Sequence, residues 1–247
     1  MKFALSFLLA ALISAAGASG AFSAELRVMT SRAITTVLDV VGPQFEKQTG
    51  HKLIVETGLS SELIHRIEGG APFDILGAPP PALDRMIKAG KLRADTRMLL
   101  VRSDVGVGVK AGAAKPDIRT VDSFKQALLQ AKSITYLPVP GVPQMLQKIG
   151  IADGIKDKTI VPNTDIVSEL VAKGEAELGI VVITQILTTP GVELAGALPQ
   201  EIKITSTFGA AVATQSKNPD AARELLKFLH GAEALKVIRE QGMQPVL

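Results

Sequence analysis

Apolar residues in the amino-terminal third of the chain alternate between short runs typical of buried strands and stripes at helical spacing. Three runs are β-type, and they cover residues 26–29, 52–55 and 73–76. Each is followed by a stripe with a period near that of an α-helix, so the pattern predicts a parallel sheet covered by helices. In such sheets, ligands bind at the carboxyl ends of the strands, where the helices begin.

The second helical stripe has the clearest helix start. Leu63, Ile64 and Ile67 lie on one helical face that ends at a pair of glycines, and Ser60 and Ser61 precede this face. The first backbone N–H groups of a helix lack partners inside it, and the positive end of the helix dipole lies there. Such an end attracts anions. A serine at a single helix start is, however, more often a simple cap.

The rest of the chain has a similar pattern. Residues 98–109 are predicted to be extended and to cross into a second lobe, where strands are predicted at 134–137 and 178–183. A return strand at 208–214 precedes two carboxy-terminal helices. We therefore predict an α/β protein with two Rossmann-like lobes joined by a hinge. The predicted lobes are residues 25–105 plus 206–247 (lobe 1) and residues 106–205 (lobe 2).

The amino terminus has the three parts of a secretory signal peptide, which we predict for residues 1–24. Lys2 is followed by an apolar run and then by small residues, and cleavage is expected after Ala21 or Ala24. No later segment reaches the roughly 18 apolar residues of a membrane span. The chain contains no cysteine and hence no disulfide. Export to a bacterial periplasm is the expected localisation.

Composition argues against several function classes. The net charge is only +3, there is no tryptophan, and the one tyrosine is Tyr136, so nucleic-acid binding is poorly supported. The three histidines (His51, His65 and His230) lie in separate segments, which disfavours a metal site. No phosphate-binding loop or nucleophile motif is present. We therefore expect no cofactor, no metal and no nucleic-acid partner.

A helix start with small polar residues recurs along the chain. The candidate ligand-binding residues at these starts are Thr30, Ser31 and Arg32, then Ser60 and Ser61, then Gly141 and Val142, and finally Thr164. Each start alone is routine capping, but two come from each predicted lobe. If they converge on one cleft, they would bind a small anion through neutral hydrogen bonds and helix dipoles. Arg32 would add a charge and a bidentate fork suited to a carboxylate.

Three segments resemble the periplasmic molybdate-binding protein family, which has the type II periplasmic solute-binding protein fold. They are residues 44–50, 60–74 and 174–181, and the second is the most specific of them. The resemblance covers the chain from Leu26 to about Phe228. It implies an exported protein that captures a small anionic ligand for the membrane permease of an ABC importer, and we expect a monomer.

The same resemblance leaves the identity of the anion open. The family's serine after the first strand falls on Ala33, its second serine matches Ser60 or Ser61, and its lobe-2 tyrosine falls on Val182. Two side-chain donors expected for a tetrahedral oxyanion are therefore missing, and each lost bond to a charged group costs roughly 1.5–3 kcal/mol. A molybdate-like oxyanion and a small carboxylate paired with Arg32 are both candidates.

Aconitate isomerase provides an alternative of another class. This periplasmic enzyme resembles molybdate-binding proteins and acts on a tricarboxylate without a cofactor. Such an isomerisation needs a base near an acidic C–H and groups that hold the carboxylates. Arg32 with the helix end at Ser60 and Ser61 would hold the substrate, but the sequence identifies no base. The leading hypothesis is a solute-binding protein, and the alternative is a cofactor-independent tricarboxylate isomerase.

Overall fold

The computed structural model describes residues 23–136, 141–162 and 166–246. Within these ranges the chain forms ten strands and ten α-helices. The strands are β1 (Glu25–Thr30), β2 (Lys52–Thr57), β3 (Ile75–Ala78), β4 (Met98–Lys110), β5 (Ile134–Tyr136), β6 (Thr159–Ile160), β7 (Leu178–Val182), β8 (Val192–Ala197), β9 (Thr205–Val212) and β10 (Gln244–Pro245). The helices are α1 (Arg32–Thr49), α2 (Ser60–Glu68), α3 (Pro80–Lys88), α4 (Val121–Gln130), α5 (Val142–Lys148), α6 (Ala152–Ile155), α7 (Ser168–Lys173), α8 (Ile183–Thr188), α9 (Pro219–Phe228) and α10 (Ala232–Glu240).

The strands form a mixed sheet in the order β2-β1-β3-β9-β4-β7-β5-β6, and β8 and β10 each pair with β4. β1 is parallel to β2 and β3, and β5 is parallel to β6 and β7. These two parallel groups, each with its own helices, confirm the predicted α/β class with two Rossmann-like lobes. The sheet is not parallel throughout, because β9 lies antiparallel between β3 and β4.

β4 is the long strand that connects the two lobes. Its first part, up to Asp104, pairs with β9 of lobe 1, and its second part, from Val105, pairs with β7 and β8 of lobe 2. The predicted crossover at residues 98–109 is therefore confirmed. The boundaries predicted for the lobes, at residues 105 and 206, stay a prediction.

Each lobe has its own hydrophobic core. In lobe 1, α1, α9 and α10 cover one face of the sheet around Phe45, which is fully buried and packs edge-on against Phe228 at 5.4 Å. α2 and α3 cover the opposite face with Leu63 and Met86. The core of lobe 2 is centred on Phe124, which is also fully buried. The apolar stripes that predicted the helices are the faces that pack on the sheet.

β3 begins two residues later than the sequence pattern predicts. The pattern favours a strand over 73–76, whereas the strand begins at Ile75. Asp74 in front of it is buried, and its carboxylate accepts hydrogen bonds from the Arg27 backbone N–H at 2.9 Å and the Ser216 hydroxyl at 2.5 Å. Asp74 is therefore the residue that fixes the turn into β3.

α7 also begins later than predicted. The sequence around Thr164 (residues 163–165) is a cap cluster that predicts a helix start, but the helix begins at Ser168, with Val167 as its N-cap residue. The backbone N–H of Ser168 donates to the side-chain oxygen of Gln185 at 3.1 Å, and this contact fixes the start of the helix. The cap cluster, including the candidate ligand residue Thr164, lies outside the described residues.

The predicted signal peptide lies almost entirely outside the described residues, which begin at 23. Ala24 is already part of lobe 1, since its N–H donates to His51 Nδ1 at 3.1 Å and its carbonyl accepts from the Lys52 N–H at 2.8 Å. In the part of the chain that the structure describes, no helix is long and apolar enough to cross a membrane.

Replacing one large core residue in each lobe tests the two-core fold. Phe45→Ala and Phe124→Ala should each lower the free energy of unfolding by about 3–5 kcal/mol, because each leaves a cavity at a fully buried site. Val40→Ala is the control, since Val40 is 55% exposed on α1 and its truncation should change stability by less than about 0.5 kcal/mol. Urea unfolding followed by circular dichroism measures these changes. A loss below about 1 kcal/mol at either phenylalanine would contradict the assigned core.

Candidate ligand-binding cleft

The carboxyl ends of the strands in the two lobes point towards each other. β1, β2 and β3 run in the same direction as β4, because β9 is antiparallel to both β3 and β4. β7 is antiparallel to β4, and β5 and β6 have the same direction as β7. The strands of lobe 2 therefore run back towards lobe 1. Helices that follow these strands therefore begin beside one cleft, which β4 and β9 span.

Ser31 immediately precedes α1, but its side chain does not cap the helix. It is the N-cap residue and has an extended backbone (φ −76°, ψ 158°), yet its side chain makes no capping hydrogen bond. Its Oγ is buried and has no partner among the described residues, and the residue is 8% exposed. The adjacent Thr30 is fully buried, and its Oγ1 is likewise without a partner there. Since nearly all buried hydroxyls are hydrogen-bonded, two adjacent exceptions indicate a place where another polar group is expected.

Close backbone packing holds this helix start against the neighbouring strands. The Gly58 N–H donates to the Thr30 carbonyl at 3.2 Å, and the hydroxyls of Thr35 and Thr57 are 2.7 Å apart. These contacts join the first turn of α1 to the end of β2. On the other side, any side chain at Gly77 of β3 would overlap Thr30 Oγ1, so only glycine fits there. The positions of the first two helix starts are therefore coupled.

α2 begins at Ser60, as the serine pair predicts, but neither serine is its cap. Leu59 is the N-cap residue, so Ser60 and Ser61 are the first two helical residues, and no side chain caps this end. Ser60 is half-buried and Ser61 is exposed, and the side chains of both lack a hydrogen bond to any described residue. Their hydroxyls and backbone N–H groups are therefore available to a ligand. Simple capping does not account for this pair.

α3 is the third helix that begins at this edge, and it offers little to an anion. Pro79 is its N-cap residue, and its first two helical residues are Pro80 and Pro81. Proline has no backbone N–H, so the first two donors of the helix are missing. This consequence of the proline run can be read from the sequence once the start of the helix is known. Donors on the lobe-1 wall thus come from α1 and α2.

Arg32 faces a different space from the serines. It is half-buried and lines a groove of about 430 Å³ between α1 and the α7–α8 region, together with Thr36, Lys173, Gln185 and Gln241 among others. Ser31, Ser60 and Ser61 do not line this groove. Arg32 also takes part in an interaction within the protein. The structure therefore does not bring Arg32 together with the serine pair in one cavity.

The predicted lobe-2 residues supply few donors. Gly141 precedes α5 with φ of 119°, and its N–H already donates to Gln144 Oε1 at 2.7 Å. Val142 is buried, and Pro143 occupies the second helical position without an N–H. Val182 ends β7 as the N-cap of α8, is half-buried against the lobe-2 core and has no polar side-chain atom. The described lobe-2 candidates Gly141, Val142 and Val182 therefore contribute no side-chain donor.

Buried polar contacts hold β4 in place where it passes from lobe 1 to lobe 2 at the base of the cleft. Ser103 on β4 and Thr184 on α8 are both 1% exposed, and their hydroxyls are 2.9 Å apart. Asp104 forms an ion pair with Lys203 at 3.0 Å and accepts a hydrogen bond from the Thr205 hydroxyl at 2.6 Å. These contacts join the strands of the crossover to lobe 2.

One carboxylate lies beside the start of α2. Glu62 is in the first turn of the helix and is exposed, and its Oε2 lies 3.7 Å from the point where a Cβ on Gly58 would be. Among the described residues, no group of three or more His, Cys, Asp or Glu side chains could hold a metal ion. The described groups at the start of α2 that could act on a ligand are hydroxyls, backbone N–H groups and this acid.

Comparison with known proteins identifies the family. Residues 26–244 match the family described as bacterial extracellular solute-binding proteins. Over 232 residues the chain is 31% identical to an aconitate isomerase from a Pseudomonas species, covering 90% of this chain and 88% of that protein. It is 30% identical over 258 aligned residues to the molybdate-binding protein ModA of Azotobacter vinelandii, covering 98% of each. The solved structure of the periplasmic molybdate-binding protein of Azotobacter vinelandii matches with a TM-score of 0.74 and 21% identity, covering 90% of this chain and 99% of that one.

The chain therefore belongs to the family of bacterial extracellular solute-binding proteins. Its fold is the type II solute-binding fold that the resemblance predicts, and both of the protein groups named in the sequence analysis are among its relatives.

Two N-cap hydroxyls make a matched test of the cleft geometry. Ser31→Ala should leave the ligand-free protein as stable as before, or up to about 1 kcal/mol more stable, because the buried hydroxyl makes no hydrogen bond. Thr120→Ala should cost about 1 kcal/mol, because Thr120 caps α4 by accepting from the Ser123 N–H at 3.1 Å. Urea unfolding without added anion measures both variants. A loss at Ser31 equal to that at Thr120 would show that the Ser31 hydroxyl is bonded in the protein itself.

Proposed function

We propose that this protein is a periplasmic solute-binding protein that captures a small anion, preferably a small carboxylate, in the cleft between its lobes. The anion is held by the starts of α1 and α2. The observation that carries the proposal is the pair of buried hydroxyls on Thr30 and Ser31, which have no hydrogen-bond partner among the described residues. Family membership supports capture of a solute, and a membrane permease of an ABC importer would be the partner.

The energetics of buried hydroxyls support a ligand at this place. Leaving a buried polar group without a hydrogen bond costs roughly 1–3 kcal/mol. An anion at the start of α1 recovers this cost, because the Ser31 hydroxyl can donate to it. It also accepts from N–H groups that have no partner in the helix, and the helix dipole favours its charge. α2, which follows the neighbouring strand β2, adds the donors of Ser60 and Ser61.

The donor set favours a carboxylate over a tetrahedral oxyanion. Ala33 and Val182 occupy the positions at which the molybdate-binding resemblance calls for a serine and a tyrosine, and neither side chain donates a hydrogen bond. Pro80 and Pro81 remove two further backbone donors from α3. A planar carboxylate needs fewer donors than a tetrahedral dianion. One relative is an aconitate isomerase and another is a molybdate-binding protein, so family membership alone does not decide between these anions.

A second candidate function is the isomerisation of a tricarboxylate, which the 31% identity to an aconitate isomerase favours. In this reaction, a base removes a proton from the methylene carbon of cis-aconitate, and the electron pair is delocalised through the adjacent double bond. The proton then returns at the far carbon of that double bond, so the double bond moves and no cofactor is required. Glu62 is the acid beside the proposed site and would be the base in this case.

A thermal-shift panel tests the binding proposal. Molybdate, tungstate, sulfate, citrate, malate and the two aconitates are each added to the purified mature protein. A ligand at about 100 times its dissociation constant should stabilise the protein by about 2.7 kcal/mol, which corresponds to a rise of about 5–10 °C in the melting temperature. We expect this rise with carboxylates, and the absence of any shift across the panel would contradict the proposal.

The matched N-cap variants then locate the site. Ser31→Ala should weaken binding of the stabilising carboxylate at least about tenfold, because it removes a bond to a charged group. Thr120→Ala should bind as the wild type does, since α4 lies in the core of lobe 2 and its cap is exposed. Isothermal titration calorimetry measures both.

A proton NMR time course separates the isomerase from the binding protein. If the protein is an enzyme, cis-aconitate should convert into its trans isomer in the presence of the pure protein and without added cofactor. Glu62→Gln should then abolish turnover while citrate still binds, because the variant lacks only the base. Glu68→Gln at the far end of α2 is the control and should retain turnover. Unchanged cis-aconitate over days, despite tight binding, would leave the protein with a binding role.

A further inference from the structure

Tyr136 is the carboxy-terminal residue of β5 and the only tyrosine in the chain, which has no tryptophan. β5 is parallel to β7, and Tyr136 is in register with Ile180. Val182 lies two residues beyond Ile180, so its side chain is on the same face of the sheet as that of Tyr136. Both residues therefore lie at the end of lobe 2 that points towards lobe 1.

The ring and the hydroxyl of Tyr136 have different surroundings. The residue is half-buried, and its ring packs against the lobe-2 core, as does Val182. The hydroxyl makes no hydrogen bond with a described residue, and it is not among the buried polar atoms that lack a partner. The hydroxyl is therefore not fully buried, while the ring is anchored in the core. An anchored ring with an accessible phenol is well suited to donate a hydrogen bond to a ligand at a fixed place.

Among the residues that the structure describes, the other candidates at this end of lobe 2 do not provide a side-chain donor. Val182 is apolar, the Gly141 N–H is occupied by Gln144, and Pro143 has no N–H. Ser103 and Thr184 behind the cleft bond to each other and are fully buried. Lobe 1 offers several hydroxyls to an anion, whereas the described part of lobe 2 offers one accessible phenol at this edge.

We propose that the Tyr136 hydroxyl is the side-chain donor by which lobe 2 binds the anion held at the helix starts of lobe 1. This inference rests on the proposed function and names a further specificity-determining residue of the same site. A single phenol donates one hydrogen bond, which matches a carboxylate oxygen presented across the cleft. Anion binding thereby links the two lobes, because the donors in lobe 1 and the phenol in lobe 2 contact the same ligand.

The single tyrosine is a built-in probe for this contact. Without tryptophan, the intrinsic fluorescence of the protein comes from Tyr136 alone. Citrate and tungstate do not themselves emit in the tyrosine range, so wild-type protein can be titrated with each. A phenol that donates to an anion loses fluorescence, and we expect saturable quenching with the same midpoint as binding measured by calorimetry.

Tyr136→Phe tests the role of the hydroxyl, since it keeps the packed ring and removes one oxygen. We expect the affinity for the anion that binds wild-type protein to fall at least about tenfold, with unchanged stability in urea. Thr159→Val is the control at the opposite end of the lobe-2 sheet, where the Thr159 hydroxyl donates to the Ile155 carbonyl at 2.8 Å. Its affinity should stay within about twofold of wild type.

The outcomes distinguish this inference from the proposed function. If wild-type protein binds and Ser31→Ala weakens binding, but Tyr136→Phe binds within twofold and the emission of Tyr136 does not respond, the role of Tyr136 is refuted and the lobe-1 site stands. If Tyr136→Phe and Ser31→Ala both weaken binding and the emission responds, both are supported. If neither citrate, tungstate nor any other anion of the panel binds wild-type protein, both are refuted.

Discussion

The cost of a buried polar group without a hydrogen bond is the constraint on which the account of this protein depends. Thr30 and Ser31 lie between β1 and α1 and incur this cost, because neither hydroxyl has a hydrogen-bond partner among the described residues. Gly77 on one side and the Thr35–Thr57 contact on the other leave these residues little freedom to turn away. In the proposed function, an anion that enters here supplies the missing hydrogen-bond partners and stabilises this arrangement.

The topology of the sheet places these two hydroxyls at the edge of lobe 1 that points towards lobe 2. β4 runs from lobe 1 into lobe 2, and its antiparallel pairing with β7 makes the strands of the two lobes end opposite each other. Helix starts from both lobes thus lie around one cleft, and the buried Ser103–Thr184 pair fixes the crossing behind it. The lobes contribute unequally, because α1 and α2 present hydroxyls and N–H groups while α5 and α8 begin with Gly141, Val142 and Val182.

Local patterns predicted the fold and the start of α2 at the proposed site. Alternating strands and amphipathic helices are determined by the burial of apolar faces, so periodicity predicted them, and the helix start at Ser60 followed from the stripe behind it. The surroundings of the candidate residues depend on three-dimensional contacts, which local patterns do not contain. Arg32 points into a separate groove because one residue along a helix turns the side chain by about 100°. The Gly141 N–H donates to the Gln144 side chain. The position of Tyr136 beside Ile180, on the same face as Val182, follows only from the pairing of β5 with β7.

The most direct test is a crystal structure of the protein with the carboxylate that stabilises it. The account predicts an anionic group within hydrogen-bond distance of Ser31 Oγ and of the donors at the start of α2, with the Tyr136 hydroxyl on its other side. An anion found instead in the groove between α1 and α7–α8, against Arg32 and Lys173 and away from Ser31, would contradict it.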